Sequence, residues 1–340
     1  MSSLRKVAVV GATGAVGDTM LKVLHERKFP ISELIPLASA RSAGQMVQFG
    51  RHDLEVIDLA TFDFKGVDIA FFTAGSAVSK QYAPIAAQAG CVVIDNTACF
   101  RYDDDIPLVI PEVNPEAIAQ YTQRNIIANP NCSTIQMLVA LKPIYDAVGI
   151  HRINVATYQA VSGTGQKAIR ELISQLSELL NGRSIKPSVY PQQIAFNVLP
   201  HIDEFQDNGY TKEEMKMVWE TRKIFNDQAI LVNPTAARVP VLYGHSEAIH
   251  IELKAPMTAA AARSLLSKAP GVKVVDNVAK KQYPTALMDA TGHDEVFVGR
   301  IRNDISHPMG LNLWVVADNT RKGAATNAIQ IAEILHQQYL

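Results

Sequence analysis

From Lys6 onward, apolar and polar positions alternate in blocks. "KVAVVGATGAVG" reads as a strand, a glycine turn and the start of a helix. "ELIPLAS", "GVDIAFFTAG" and "GCVVIDN" supply three more short apolar runs, with a helical "SKQYAPIAAQA" between the last two. Continuous β-branched runs are the mark of buried parallel strands, and their alternation with helices predicts a doubly wound α/β sheet. A fifth run, "IIANPNCSTIQMLVAL", passes from strand through a polar turn into an amphipathic helix, which Lys142-Pro143 should kink or end. Further along, "RVPVLYGHSEAIHIELK" and "DEVFVGRIRND" alternate like strands with one covered face. The chain closes with a strand, a polar turn and a long amphipathic helix in "GLNLWVVADNTRKGAATNAIQIAEILHQQYL". Only "LLNGRSIKPSVYPQQIAFNVLPHIDEF" is too irregular to assign; it reads as a lid-like segment.

The first turn carries Gly11, Gly14 and Gly17, a variant of the dinucleotide fingerprint. Such glycines permit a tight turn and close backbone approach, and the helix that follows faces its dipole to a pyrophosphate. The second strand selects the dinucleotide. An NAD site ends it with an acid for the ribose hydroxyl, whereas here "LIPLAS" runs into Ala40, Arg41 and Ser42. A guanidinium and a hydroxyl suit a 2′-phosphate, which favours NADP; the plainer alternative is that Arg41 is a solvated loop cation.

Length and composition narrow the class. The 340 residues suit about two domains, and 48% hydrophobic with 19% charged residues is an ordinary globular balance. A net charge of -1 provides no basic field for nucleic acid or a membrane surface. No apolar run is long enough for a bilayer, and "MSSLRKVAVVGATG" enters a strand-like run too soon for a signal peptide. Three cysteines (Cys91, Cys99, Cys132) without metal-ligand spacing suit a reducing cytoplasm, with no disulfide scaffold and no structural zinc.

Cys132 stands where a polar turn becomes a helix. Unpaired N–H groups at that point would favour a thiolate and could hold an oxyanion, although a free cysteine is as often a small buried hydrophobe. Cys91 and Cys99 have no activating context and read as structural.

Five motifs in order, "GATGAVG" at Gly11, "NPNCSTIQ" at Asn129, "QAVSGTG" at Gln159, "EEMKMVWETRKI" at Glu213 and "RVPVLYGHSEAIHIEL" at Arg238, resemble the aspartate-β-semialdehyde dehydrogenase family in its bacterial branch, across nearly the whole chain. The resemblance implies a Rossmann-type domain over residues 1–131, completed by a C-terminal helix over 319–340. It implies an α+β catalytic and dimerisation domain over 132–318, and a homodimer. The implied activity is NADPH-dependent reduction of L-aspartyl-4-phosphate to the semialdehyde and phosphate, in the biosynthesis of lysine, threonine, methionine and isoleucine.

By the same resemblance Cys132 would be the nucleophile, His245 the acid/base for the thiol and the tetrahedral adduct, and Gln159 the group that orients substrate. Arg238 would pair with the α-carboxylate and Glu213 with the α-ammonium, though the doubled acid leaves Glu213 or Glu214 open. Asn131 would also bind substrate, and Arg101 and Lys216 would take the phosphate. Gly11, Thr13, Gly14, Ala15, Val16, Arg41, Ser42, Ser162, Gly163 and Asn319 would contact NADP(H). No metal is implied. The loop before Arg101 reads "DNTACFR" where relatives carry "DNSSAFR", a change among small residues.

On the residues alone, duller readings stay open: His245 as a core histidine, Glu213 and Lys216 as a solvated helix face, Gln159 as a strand cap. Arg238, between apolar neighbours, wants an anion. N-acetyl-γ-glutamyl-phosphate reductase shares the fold and the thiol, but its substrate lacks the ammonium that Glu213 would meet. An inactive paralogue would lose the thiol or the histidine first, and a dinucleotide-sensing regulator would share only "GATGAVG".

Overall fold

The computed structural model describes residues 4–340. The chain divides into two units, one running to Pro130 and resuming at Ala324–Leu340, the other Asn131–Gly323.

The first unit contains β1 (Arg5–Val10), α1 (Ala15–Glu26), β2 (Ile31–Ala38), β3 (Met46–Phe49), β4 (His52–Glu55), β5 (Ile57–Asp58), β6 (Ile69–Phe72), α2 (Ser76–Gln88), β7 (Val92–Asp95) and β8 (Ile126–Ala128). Six of these strands form a sheet in the order β5-β2-β1-β6-β7-β8, parallel throughout. The expected strands are those whose apolar runs are continuous: Val7–Val10 and Ile69–Phe72 are completely buried. The β3–β4 hairpin is additional; its strands are short and mostly exposed, so no apolar run announces it.

Strand order reverses at β1, and the crevice of such a sheet opens at the carboxyl ends of its strands. Gly11 sits there at φ 90°, and a Cβ on it would lie 2.7 Å from the Thr73 hydroxyl. Gly17 packs against the Gly11 carbonyl with no room for a Cβ. Gly14 caps α1 without a side-chain hydrogen bond.

The second unit contains α3 (Cys132–Val148), β9 (Ile150–Gln159), α4 (Gln166–Leu180), α5 (Lys212–Phe225), β10 (Leu231–Arg238), β11 (His245–Leu253), α6 (Ala259–Leu266), β12 (Val272–Val274), β13 (Val296–Asn303) and β14 (Gly310–Ala317). Its sheet has the order β10-β9-β11-β14-β13-β12. The three central pairings are antiparallel and the two outer ones parallel.

Two expectations need correction. Of the two outcomes expected at Lys142-Pro143, a kink or an end, the end does not occur: the helix that opens at Cys132 continues to Val148, where Gly149 at φ 70° supplies the stop. Nor is it amphipathic in its first half: Ser133 to Leu141 are all buried, so packing on every side holds the helix through its proline. The run "RVPVLYGHSEAIHIELK" is two strands, with Arg238 ending β10 and His245 opening β11.

Helix α7 (Thr326–Gln338) belongs to the first unit. Its Ile329 and Leu335 join Val7, Val9, Ile69 and Ile94 in one core. Arg27 donates a bidentate pair to Glu333 at 2.8 and 2.7 Å, and Asn327 donates to Asn129 Oδ1 at 2.7 Å. Among the described residues no helix is long and apolar enough to cross a membrane.

Candidate active site

Asn131 organises the start of α3. Its Oδ1 accepts from the N–H groups of Ser133 (3.0 Å) and Thr134 (3.3 Å). These are amides that the sequence pattern alone leaves unpaired in front of the thiol; the cap satisfies them instead. The Asn131 backbone N–H donates to Glu220 Oε2 at 2.6 Å. Cys132 follows, half-buried. A Cβ at Gly323 would stand 2.8 Å from the Cys132 Cβ, so the thiol's position depends on a glycine there.

The other face of Asn131 meets the acid of α5. Its Nδ2 donates to Glu213 Oε1 at 2.9 Å, and Gln159 Nε2 donates to the same oxygen at 3.1 Å. Lys216 Nζ bonds Glu213 Oε2 at 2.9 Å and Asp203 Oδ2 at 2.7 Å. Burial by itself would raise the Glu213 carboxyl, but the Lys216 charge, hydrogen bonds from Lys216 and Asn131, and Arg238 hold it down at about 2. It is ionised. Burial works against the Lys216 charge, yet Glu213 and Asp203 raise its pKa. The adjacent Glu214 is engaged elsewhere, closing a capping box with Thr211 and accepting from the Ala236 N–H at 2.9 Å.

Arg238 ends β10 with its side chain buried, Nη1 donating to the Ala160 carbonyl at 2.7 Å and Nε without a partner. His245 opens β11, fully buried. Its Nδ1 accepts from the Ala160 N–H at 3.0 Å, so the neutral ring carries its proton on Nε2, which has no partner. Burial first, then the Arg238 charge, lowers its pKa to about 3, against a smaller opposing effect of Glu213. In this tautomer the ring is a donor. A Cβ at Gly163 would reach 3.0 Å from Arg238 Nη1 and 3.5 Å from His245 Nε2, so Gly163 keeps the space above both open. Asn319 Oδ1 accepts from the Gly244 N–H at 3.0 Å, and its amide lies in hydrogen-bond contact with Ser162 Oγ.

The structure therefore joins Asn131, Cys132, Gln159, Lys216, Glu213, Arg238, Gly163 and His245, with Ser162 and Asn319 as a linked pair. Arg101, Arg41, Ser42 and the residues from Gly11 to Val16 belong to the other unit. There Arg101 is buried and donates to the Asn96 carbonyl at 3.1 Å, while Arg41 is exposed. Burial raises the thiols of both Cys91 and Cys99, which suits inert cysteines. Sequence reasoning missed Glu220, Asp203 and Gly323. Glu220 lies seven residues after Glu213 on one helix, hence on the same face, which was a readable signal.

A parallel sheet with a glycine turn at its reversal point, and a half-buried cysteine directly after the asparagine that bonds a buried carboxylate, fit one class of protein: a nicotinamide-linked oxidoreductase. Comparison with known proteins agrees. Residues 6–121 match the semialdehyde dehydrogenase NAD binding domain and residues 141–322 the semialdehyde dehydrogenase dimerisation domain. The chain belongs to the semialdehyde dehydrogenase family. It is 70% identical over 340 residues to aspartate-semialdehyde dehydrogenase of Legionella pneumophila, covering 100% of this chain and 98% of that one. The structure of aspartate semialdehyde dehydrogenase II complexed with ASA from Vibrio cholerae matches with a TM-score of 0.98 at 60% identity, covering 100% of both chains. The Candida albicans enzyme with NADP matches with a TM-score of 0.73 at 25% identity, over 98% of each chain.

Proposed function

We propose that this protein reduces L-aspartyl-4-phosphate with NADPH to L-aspartate-4-semialdehyde and phosphate, a step in the biosynthesis of lysine and diaminopimelate, threonine, methionine and isoleucine. The observation that carries the reading is Glu213, a buried, ionised carboxylate tied through Asn131 to the turn that presents Cys132. With the buried guanidinium of Arg238, it suits an α-amino acid. Glu213 receives the α-ammonium and Arg238 the α-carboxylate. Because Glu214 is engaged in capping, the register favours Glu213.

An acyl phosphate is already activated, so the protein has to provide a better nucleophile than water and a site that excludes water. Cys132 attacks the acyl carbon as the thiolate, so no proton has to leave in that step; Gln159 orients the substrate, and phosphate leaves as an anion for which Lys216 supplies a cation, with Arg101 the second expected phosphate contact. Two of the three Lys216 N–H donors serve Glu213 and Asp203, which leaves one for a phosphate oxygen. The thioester stays on Cys132. His245, a donor at Nε2, hydrogen-bonds the oxygen of the tetrahedral adduct, the acid half of its expected role.

The glycine cradle fits a dinucleotide, since Gly11 and Gly17 leave no room for a side chain. Gly11, Thr13, Gly14, Ala15 and Val16 would hold the pyrophosphate, Arg41 and Ser42 the 2′-phosphate, and Ser162, Gly163 and Asn319 the remainder. When bound, NADPH supplies the hydride that reduces the thioester. The sheet face carrying Asn154, Tyr158, His250 and Trp314 is partly exposed, and it suits pairing with a second copy into a homodimer.

The test is NADP reduction with L-aspartate-4-semialdehyde against N-acetylglutamate semialdehyde, each with phosphate. Turnover restricted to the first is expected. Preference for the second would leave the thioester chemistry standing and overturn the substrate assignment.

A further inference from the structure

Glu247 is a buried ionisable group that the chemistry above leaves unused. It lies on β11 two residues beyond His245, so both side chains leave the same face of the sheet. Register sets it opposite Thr157 of β9, whose hydroxyl accepts from Gln159 Nε2 at 3.3 Å. Glu247 is fully buried, and neither carboxyl oxygen has a hydrogen-bond partner. The Gln136 side chain lies against it. Gln136 is itself fully buried with both amide atoms unpaired, and it stands one turn after Cys132 on α3.

Leaving four such atoms unpaired is unfavourable, and two apolar side chains of the same size would pack there at lower cost. The two groups can satisfy each other in one way. A protonated carboxyl donates to the amide oxygen and accepts from the amide nitrogen, whereas a carboxylate leaves the amide oxygen unserved. Burial pushes the Glu247 carboxyl well above the usual range, which favours the protonated partner.

We propose that Glu247 is a positioning residue: paired with Gln136, it braces the strand that opens at His245 against the helix that opens at Cys132, and so fixes the spacing of the two reacting side chains. The brace rests on the reading of Cys132 and His245 as the reacting pair. It spans two elements distant in sequence and acts on both, without touching substrate.

Three variants test it: Glu247→Gln, Glu247→Leu, and Glu247→Leu combined with Gln136→Leu. The readouts are kcat and KM for L-aspartate-4-semialdehyde, the rate of Cys132 alkylation by iodoacetamide, and the thermal midpoint. Glu247→Gln keeps a two-point amide pair and should stay within about threefold of wild type in kcat, because the geometry is preserved. Glu247→Leu should lose about tenfold to a hundredfold in kcat with KM little changed, the size of a small misplacement at a reacting centre. Its alkylation rate should shift as well. The double leucine variant, which removes the orphaned amide, should regain the thermal midpoint but not kcat.

Wild-type kcat in the double variant would overturn the proposal, since Glu247 and Gln136 would then be mere core filling. A Glu247→Gln variant as impaired as Glu247→Leu would also overturn it, because the acid's own proton would be in use. Alkylation separates this test from the substrate assignment. If the wild type does not turn over the semialdehyde, the assignment falls, and the brace is judged on Cys132 reactivity alone.

Discussion

Asn131 donates its side-chain N–H to Glu213 across 2.9 Å while the oxygen of the same amide caps the helix that begins at Cys132. One residue thus ties the carboxylate proposed to hold substrate to the turn that presents Cys132. A charged hydrogen bond of this kind is worth about 1.5–3 kcal/mol. Glu213→Gln should therefore raise KM for L-aspartate-4-semialdehyde about tenfold or more, as read by steady-state kinetics. Glu214→Gln should leave KM alone and lower stability by about 1–3 kcal/mol, because an amide has one oxygen to accept from the two N–H groups, of Thr211 and Ala236, that the carboxylate serves. A larger KM effect at Glu214 would reverse the assignment.

Two buried groups of the site, Glu213 and His245, make stability depend on pH in the same direction. The Glu213 pKa is depressed to about 2, so its contribution is complete above the ordinary value of about 4.3 and is lost as pH falls toward about 2. The His245 pKa is depressed to about 3, so the unfolded chain binds a proton below about pH 6.5 that the folded chain refuses. Folding stability should then fall by up to about 1.4 kcal/mol per pH unit on His245's account between those values. Urea unfolding at a series of pH values should show a shallower acid slope for His245→Gln than for wild type. Equal slopes would mean that the ring is protonated in the native state.

Gly323 has no positive φ to protect, only space. A methyl group there would meet the Cys132 Cβ at 2.8 Å. Gly323→Ala should reduce kcat and Cys132 alkylation together by about tenfold or more, and lower stability by about 1–3 kcal/mol through the overlap. Unaltered alkylation would show that the helix start yields freely.

Just beyond β2, the exposed Arg41 is the cation proposed to meet the 2′-phosphate of NADP. Arg41→Ala should weaken NADP by about tenfold and leave NAD unchanged, since only the 2′-phosphate loses its cation. Equal losses for both would place Arg41 outside the ribose site.

What the sequence could reveal depended on whether the cause was local. The parallel strands were legible because β1, β6 and β7 are buried on both faces and so read as unbroken apolar runs. The junction at Cys132 was legible because a capping asparagine precedes it. His245 as a donor was not, because its tautomer is set by the Ala160 N–H, 85 residues away. The extension of α3 through Pro143 was hidden for a related reason: tertiary burial outweighs the local signal of a proline. Glu247 left a trace that is readable in the strand pattern. In "HSEAIHIEL" it shares the parity of Ile249 and Ile251, so an acid stands where the pattern requires a core residue.

The central claim is a thioester on Cys132, and the most direct measurement follows phosphate-dependent reduction of NADP by L-aspartate-4-semialdehyde in wild type and Cys132→Ala. Turnover that requires phosphate in the wild type and vanishes in the variant is the predicted result. A Cys132→Ala enzyme that still reduces NADP at a comparable rate would contradict it, and the thiol at the start of α3 would be no more than a small side chain in a tight space.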